Sequence, residues 1–198
     1  MYIHFEGLDL AGKSTVCQLI CQHTQGNWQV RRNALTMNNS IYELADRMRR
    51  EKAGNEETIG WLYYAALLFD LEQFEQPVGN IIQDSTILLR SLAFHKVRGT
   101  PVLVERLEVL LDQHPRFDRS FVLVADHQTR IERLAKKRAC ELGPEDFLVR
   151  DDPKRFYTME HQLVDYATRH FDAIVLDTSG ELDFSWLEKV IQHLPNLG

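Results

Sequence analysis

Residues Gly7-Leu8-Asp9-Leu10-Ala11-Gly12-Lys13-Ser14 fit the pattern G-x-x-x-x-G-K-[ST] without a mismatch, and nothing else in the chain restricts its fold as sharply. The surroundings agree with the pattern. A strand-like run, Tyr2–Phe5, leads into the loop, and an amphipathic stretch carrying Val16, Leu19 and Ile20 leaves it. Glycines let the backbone approach phosphate oxygens closely, and amides at a helix N-terminus form a nest for anions. In such a loop Gly7, Asp9, Ala11, Gly12, Lys13, Ser14 and Thr15 are the candidate triphosphate contacts. Lys13 is placed to bridge the β- and γ-phosphates, and the Ser14 hydroxyl to ligate Mg²⁺.

The rest of the chain repeats this alternation. Strands are expected at Tyr2–Phe5, Trp28–Arg31, Asn80–Gln83, Phe121–Ala125 and Ala173–Leu176. Phe121–Val124 and Ala173–Leu176 are continuously apolar, as parallel strands covered on both faces are. Helical patterns fill the intervals at Lys13–Thr24, Ser40–Glu51, Glu56–Phe74, Ile87–Lys96, Pro101–Gln113, Gln128–Leu142, Pro153–His170 and Leu182–His193. The expectation is an α/β chain with a three-layer P-loop NTPase fold. Its five-stranded, mostly parallel sheet carries helices on both faces, and the binding site lies at the carboxyl ends of the strands. No repeat, low-complexity tract or Pro/Gly/Ser linker divides the 198 residues, so one domain is expected.

Charge narrows the partners. The net charge is −6 at pH 7, which argues against a surface that coats nucleic acid. An anionic ligand must be held by a local basic site. Three cysteines give no disulfide framework, and no leader or membrane-length apolar run is read, so a cytoplasmic, reducing setting is expected. The eight histidines show no HExxH-type spacing, and no metal use beyond phosphate-bound Mg²⁺ is expected.

The longer run Phe5-Glu6-Gly7-Leu8-Asp9-Leu10-Ala11-Gly12-Lys13-Ser14-Thr15 resembles the start of a thymidylate kinase, a family that reads F-E-G-x-D-x-A-G-K-[ST]-T. Looser similarity covers nearly the whole chain. Leu62-Tyr63-Tyr64-Ala65-Ala66 is similar to the acceptor-binding helix, and Asp84 sits where the family has an Asp-Arg pair. The stretch from 130 to 155 is placed like the family's lid.

The resemblance implies roles for individual residues. Asp9 would contact the acceptor's sugar, Arg31 or Arg32 would hold its phosphate, and Tyr63 would stack on its base. Asp84 would orient Mg²⁺ through water or accept the acceptor proton. Arg138, with Arg133 or Arg150, would close over the triphosphate, within a basic run that also holds Arg130, Lys136 and Lys137. By the same resemblance the chain is a homodimer, pairing through 40–51 and 56–74.

Two departures bear on the acceptor. Leu67 stands where thymidylate kinases carry an arginine that reads a thymine carbonyl, and an apolar side chain cannot donate there. Ser85 replaces the arginine expected after Asp84, and Arg90 is a candidate substitute from the following helix. His95, after Ala93-Phe94, is a further acceptor-side candidate. The sequence thus points to an ATP- and Mg²⁺-dependent phosphotransferase acting on a nucleotide, nucleoside or related metabolite. A non-catalytic nucleotide-binding module or switch is the reading from another class.

Overall fold

A computed structural model of the protein describes residues 1–24, 26–138 and 142–194. In chain order the elements are β1 (Tyr2–Glu6), α1 (Lys13–His23), β2 (Trp28–Arg32), α2 (Ser40–Glu51), α3 (Glu56–Gln73), β3 (Asn80–Asp84), α4 (Ile87–Arg98) and α5 (Pro101–Val109). After them come β4 (Arg119–Val124), α6 (His127–Lys136), α7 (Leu148–Asp151), α8 (Pro153–Phe171), β5 (Ile174–Asp177) and α9 (Phe184–Ile191). A 3-10 turn, Pro144–Phe147, precedes α7.

The strands form one five-stranded sheet in the order β2-β3-β1-β4-β5, and every pairing between them is parallel. The chain leaves β1 for β2 on one side and leaves β3 for β4 on the other, so a crevice opens at the carboxyl ends of β1 and β3.

Side chains on a strand alternate between faces, and the two faces have different cores. Ile3, Phe5, Ile82, Phe121 and Leu123 pack against Val16, Cys17 and Ile20 of α1 and Trp186, Leu187 and Val190 of α9. Val122, on the other face, joins Leu88, Leu92, Leu107, Phe156 and Leu163 from α4, α5 and α8. The same alternation puts Tyr2, His4 and Glu6 of β1 on that second face, all buried. Polar residues inside a sheet need partners: Tyr2 Oη donates to Gln83, and His4 Nδ1 lies 2.7 Å from Ser120 Oγ.

Local signals set the element ends. Asn39, Asn55, Thr86, Asp126 and Asp183 each accept a bond from an amide three residues on, capping α2, α3, α4, α6 and α9. Pro101 and Pro153 occupy first turns, where a missing N–H costs nothing. One expectation needs correction. The helix anticipated over 128–142 stops at Lys136, where Lys137 turns extended and its ammonium reaches Asp146 at 2.7 Å. Residues 139–141 of that stretch, and of the expected lid, lie outside the described residues. Among the described residues no helix is long and apolar enough to cross a membrane.

Candidate phosphate-binding cleft

The loop between β1 and α1 has a backbone that few sequences tolerate. Gly7 adopts φ 149°, and a Cβ there would stand 2.6 Å from the Leu123 carbonyl oxygen. Gly12 adopts φ 85° and caps α1, and it offers no side chain to the first-turn amides. Those N–H groups are left to an external acceptor, at the positive end of the helix dipole. Lys13 folds over the loop and donates to the carbonyls of Gly7 at 2.6 Å and Leu8 at 3.2 Å. Burial, then Arg90, push the Lys13 pKa down, while Asp84, Asp9 and Glu6 oppose them.

The loop forms one wall of a cleft of about 350 Å³ at the carboxyl ends of the strands. Its lining includes five cations, Lys13, Arg32, Arg90, Arg133 and Lys137, and two anions, Asp9 and Asp84. That excess of three positive charges sits in a chain whose net charge is −6. A site for a polyanion is what such focusing provides. A larger cavity, about 450 Å³ between Asp112, Arg116 and Phe171, lies at the amino ends of the strands and contains no residue of the loop.

Most of the residues singled out from sequence converge on this cleft. Asp9, Gly12, Lys13, Ser14, Thr15, Arg32, Asp84, Arg90 and Arg133 all line it. Gly7 and Ala11 shape the loop from beneath; Ala11 accepts from Thr178 Oγ1 through its carbonyl. Arg90 Nη2 bonds both carboxylate oxygens of Asp9, at 3.2 and 3.1 Å. Burial alone would raise the Asp9 pKa, but Arg90, and then Lys13, hold it well below the usual carboxylate range. Asp84 lies at the end of β3, with Arg32 Nε 3.6 Å from its Oδ2. Ser85 follows in the left-handed region, φ 67°, with a buried hydroxyl that has no hydrogen-bond partner among the described residues.

Between the two arginines left open after β2, the structure separates them. Arg32 lines the cleft with its side chain 68% exposed. Arg31 points to the other side of the edge strand and donates to the Leu35 carbonyl.

Other candidates stand elsewhere. Leu67 is 1% exposed and packs in the core with Leu88 and Leu92, so it does not line the cleft. Tyr63 is also outside it; its hydroxyl accepts from Arg49 Nε at 3.2 Å. Tyr42 stands between it and the cleft, its ring centre 6.0 Å from that of Tyr63 and its hydroxyl accepting from Asn33. His95 is buried against Gly60 and Thr100, and burial pushes its pKa down to about 4.

The basic run divides into different jobs. Arg130 is fully buried and donates to the carbonyls of Ala125 and Asp9 and to Glu160, so it braces the loop against α8. Arg133 donates to Leu10 O at 2.9 Å and Thr178 O at 2.5 Å, tying the loop to the end of β5. Arg138 is exposed and Arg150 pairs with Asp151; neither lines the cleft. Reading the sequence alone gave no role to Asn33 or to the buried Glu6. An acid just before the loop was the available signal for Glu6.

Ser14 and Asp84 both line this cleft, and their oxygens are of the type a hard cation such as Mg²⁺ takes.

No family model and no curated protein matches the sequence. Solved structures do match the fold. A thymidylate kinase from Candida albicans superposes with TM-score 0.69 at 15% identity, covering 96% of this chain and 88% of that one. A deoxyadenosine kinase from M. mycoides, with products dCMP and dCDP bound, gives 0.64 at 20% identity over 100% of both chains. A thymidylate kinase from Ehrlichia chaffeensis gives 0.60 at 16% identity, over 97% of this chain and 96% of that one. This chain therefore has the fold of thymidylate and deoxynucleoside kinases, and its sheet is the α/β sheet expected from the sequence.

Proposed function

We propose that the chain is an ATP-dependent phosphotransferase that moves the γ-phosphoryl of ATP to a nucleoside monophosphate or a related small acceptor. One observation carries this reading: the uncapped α1 amides and Lys13 share a single cleft with Arg32, Asp84 and Arg90. A switch or passive nucleotide module has no use for that second, charged half.

Lys13 and the loop amides hold the β- and γ-phosphates, and Asp9, Arg32 and Arg90 meet the acceptor. Ser14 and Asp84 offer oxygen ligands to Mg²⁺, which when bound neutralises charge on the phosphate oxygens. Asp84 is the carboxylate available to accept the acceptor's proton or to orient the metal's water. The stretch from 130 to 155 acts as a lid, with Arg133 held at the triphosphate side and Arg138 brought in as it closes, which excludes water and limits idle hydrolysis. The protein works as a homodimer through α2 and α3, where Leu44 and Leu68 are exposed.

A second reading has its own support. Arg90 is engaged by Asp9, which leaves Arg32 as the more open guanidinium for an acceptor phosphate. A nucleoside acceptor needs fewer such groups. ADP release should be measured with Mg²⁺-ATP across nucleoside monophosphates and free nucleosides. Turnover of monophosphates supports the first reading, and turnover of nucleosides alone replaces it with the second. No turnover and no ATP affinity would remove both.

A further inference from the structure

Glu6 is fully buried, one residue before the loop, on the sheet face away from α1. Its two oxygens reach different parts of the molecule. Oε1 accepts the amide of Gly7 at 3.0 Å, the first N–H of the phosphate loop. Oε2 accepts the amide of Thr86 at 2.9 Å and the Thr86 hydroxyl at 3.3 Å. Thr86 in turn caps α4, through its hydroxyl and the Leu89 amide. Asp84 and Ser85 just before it and Arg90 on α4 line the half of the cleft assigned above to the acceptor. A carboxylate with only acceptor sites suits three donors; an amide of the same shape would present its NH₂ to N–H groups.

We infer that Glu6 is a positioning residue that couples the triphosphate loop to the acceptor half of the cleft, by holding Gly7 and Thr86 on one carboxylate. Burial would raise the Glu6 pKa, but His4, Arg90 and Lys13 hold it below the ordinary range, so the charged acceptor form is the one present. His4 stands behind it, Nε2 3.6 Å from Oε2, with its other nitrogen fixed by Ser120. Ordering of the loop by a bound triphosphate then reaches Ser85 and the first turn of α4 through two hydrogen bonds. The inference rests on the nucleotide-binding reading above.

The test is hydrogen exchange on the full chain, with and without Mg²⁺ and a non-hydrolysable ATP analogue. In the wild type, the analogue should slow exchange of the Gly12–Val16 amides and also of Ser85–Arg90, the latter by about 10-fold. Glu6→Gln should keep the first effect and lose the second, and in turnover should lower kcat far more than it raises the KM for ATP. A residue that merely stabilises the fold would shift the melting temperature and leave the pattern of slowing intact. Thr86→Val, which removes one of the three donors, should weaken the slowing at Ser85–Arg90 and carries the test if Glu6→Gln fails to fold. Unchanged slowing in the folded variants overturns the coupling alone. No binding of the analogue to the wild type overturns the nucleotide reading, and the coupling with it.

Discussion

Arg90 joins α4 to the phosphate-binding loop by holding both oxygens of Asp9, at 3.1 and 3.2 Å, across the mouth of the cleft. The pair is partly exposed, with side chains 29% and 26% accessible, so solvent screens it and an incoming anion can compete for the guanidinium.

Arg90→Ala should therefore act on the acceptor more than on ATP. The KM for a phosphorylated acceptor should rise about 10-fold or more, a loss of ~1.4 kcal/mol, with the KM for ATP changed little. The Asp9 pKa is depressed by Arg90 in the folded protein. Its contribution is thus present above the ordinary carboxylate pKa and lost only as pH falls through the lowered value. Removing Arg90 should move the acid limb of the activity profile upward, towards the ordinary range. An acid limb that stays in place would show that the pair does not govern it.

Lys13→Ala removes the one ammonium that the loop itself encloses. Turnover should fall by ~10²-fold or more, as for loss of a group that meets developing charge. The melting temperature should change little, because the lysine's bonds are to carbonyls at the cleft wall. A variant that turns over normally would mean that the loop holds something other than a transferable phosphate.

Arg130 and Arg138 should part company. Arg130→Met leaves Glu160, 6% exposed, without its guanidinium, and removes a donor from the Asp9 carbonyl. Breaking a buried pair from one side costs about 3–5 kcal/mol, so the melting temperature should drop by on the order of 10 °C. Arg138→Ala, at an exposed side chain, should lower the melting temperature far less, and under the lid proposal should lower kcat by ~10²-fold or more. Thermal melts and initial rates on the two variants separate bracing from chemistry.

His114 carries a pH prediction for stability. It is 3% exposed against Phe117 and Phe171, and burial pushes its pKa down to about 4. The unfolded chain, with an ordinary pKa of about 6.5, binds the proton more readily, so stability falls as pH drops from about 6.5 towards 4 and then levels. The loss is up to ~3 kcal/mol at ~1.4 kcal/mol per pKa unit. Denaturant titrations should show His114→Phe with a flatter dependence over that window. Identical slopes for variant and wild type would assign the loss to other groups.

The residues that were legible in the sequence are those whose role is local. Gly7 to Ser14 announce a loop because glycine and lysine at that spacing have few other uses, and the strands announce themselves as apolar runs. The start of α5 followed from Pro101, whose missing N–H suits a first helical turn. What stayed hidden depends on long-range placement. Arg31 and Arg32 are neighbours in sequence, yet the pleat sends them to opposite faces of an edge strand. Arg130 looked like one member of a basic helical face, but Glu160, thirty residues on, draws it into the interior. Leu67 reads as a lost donor until α3 is seen to turn that position into the core.

Lys13 rests in a cage of neutral oxygens supplied by its own loop. An arriving polyphosphate need not strip water from a free ammonium. It trades two peptide carbonyls for charged oxygens, so part of the lysine's dehydration took place when the chain folded. Recognition at this wall is thus an exchange of partners within a preformed shell, and the loop's carbonyls mark the strength of bond that any anion must exceed.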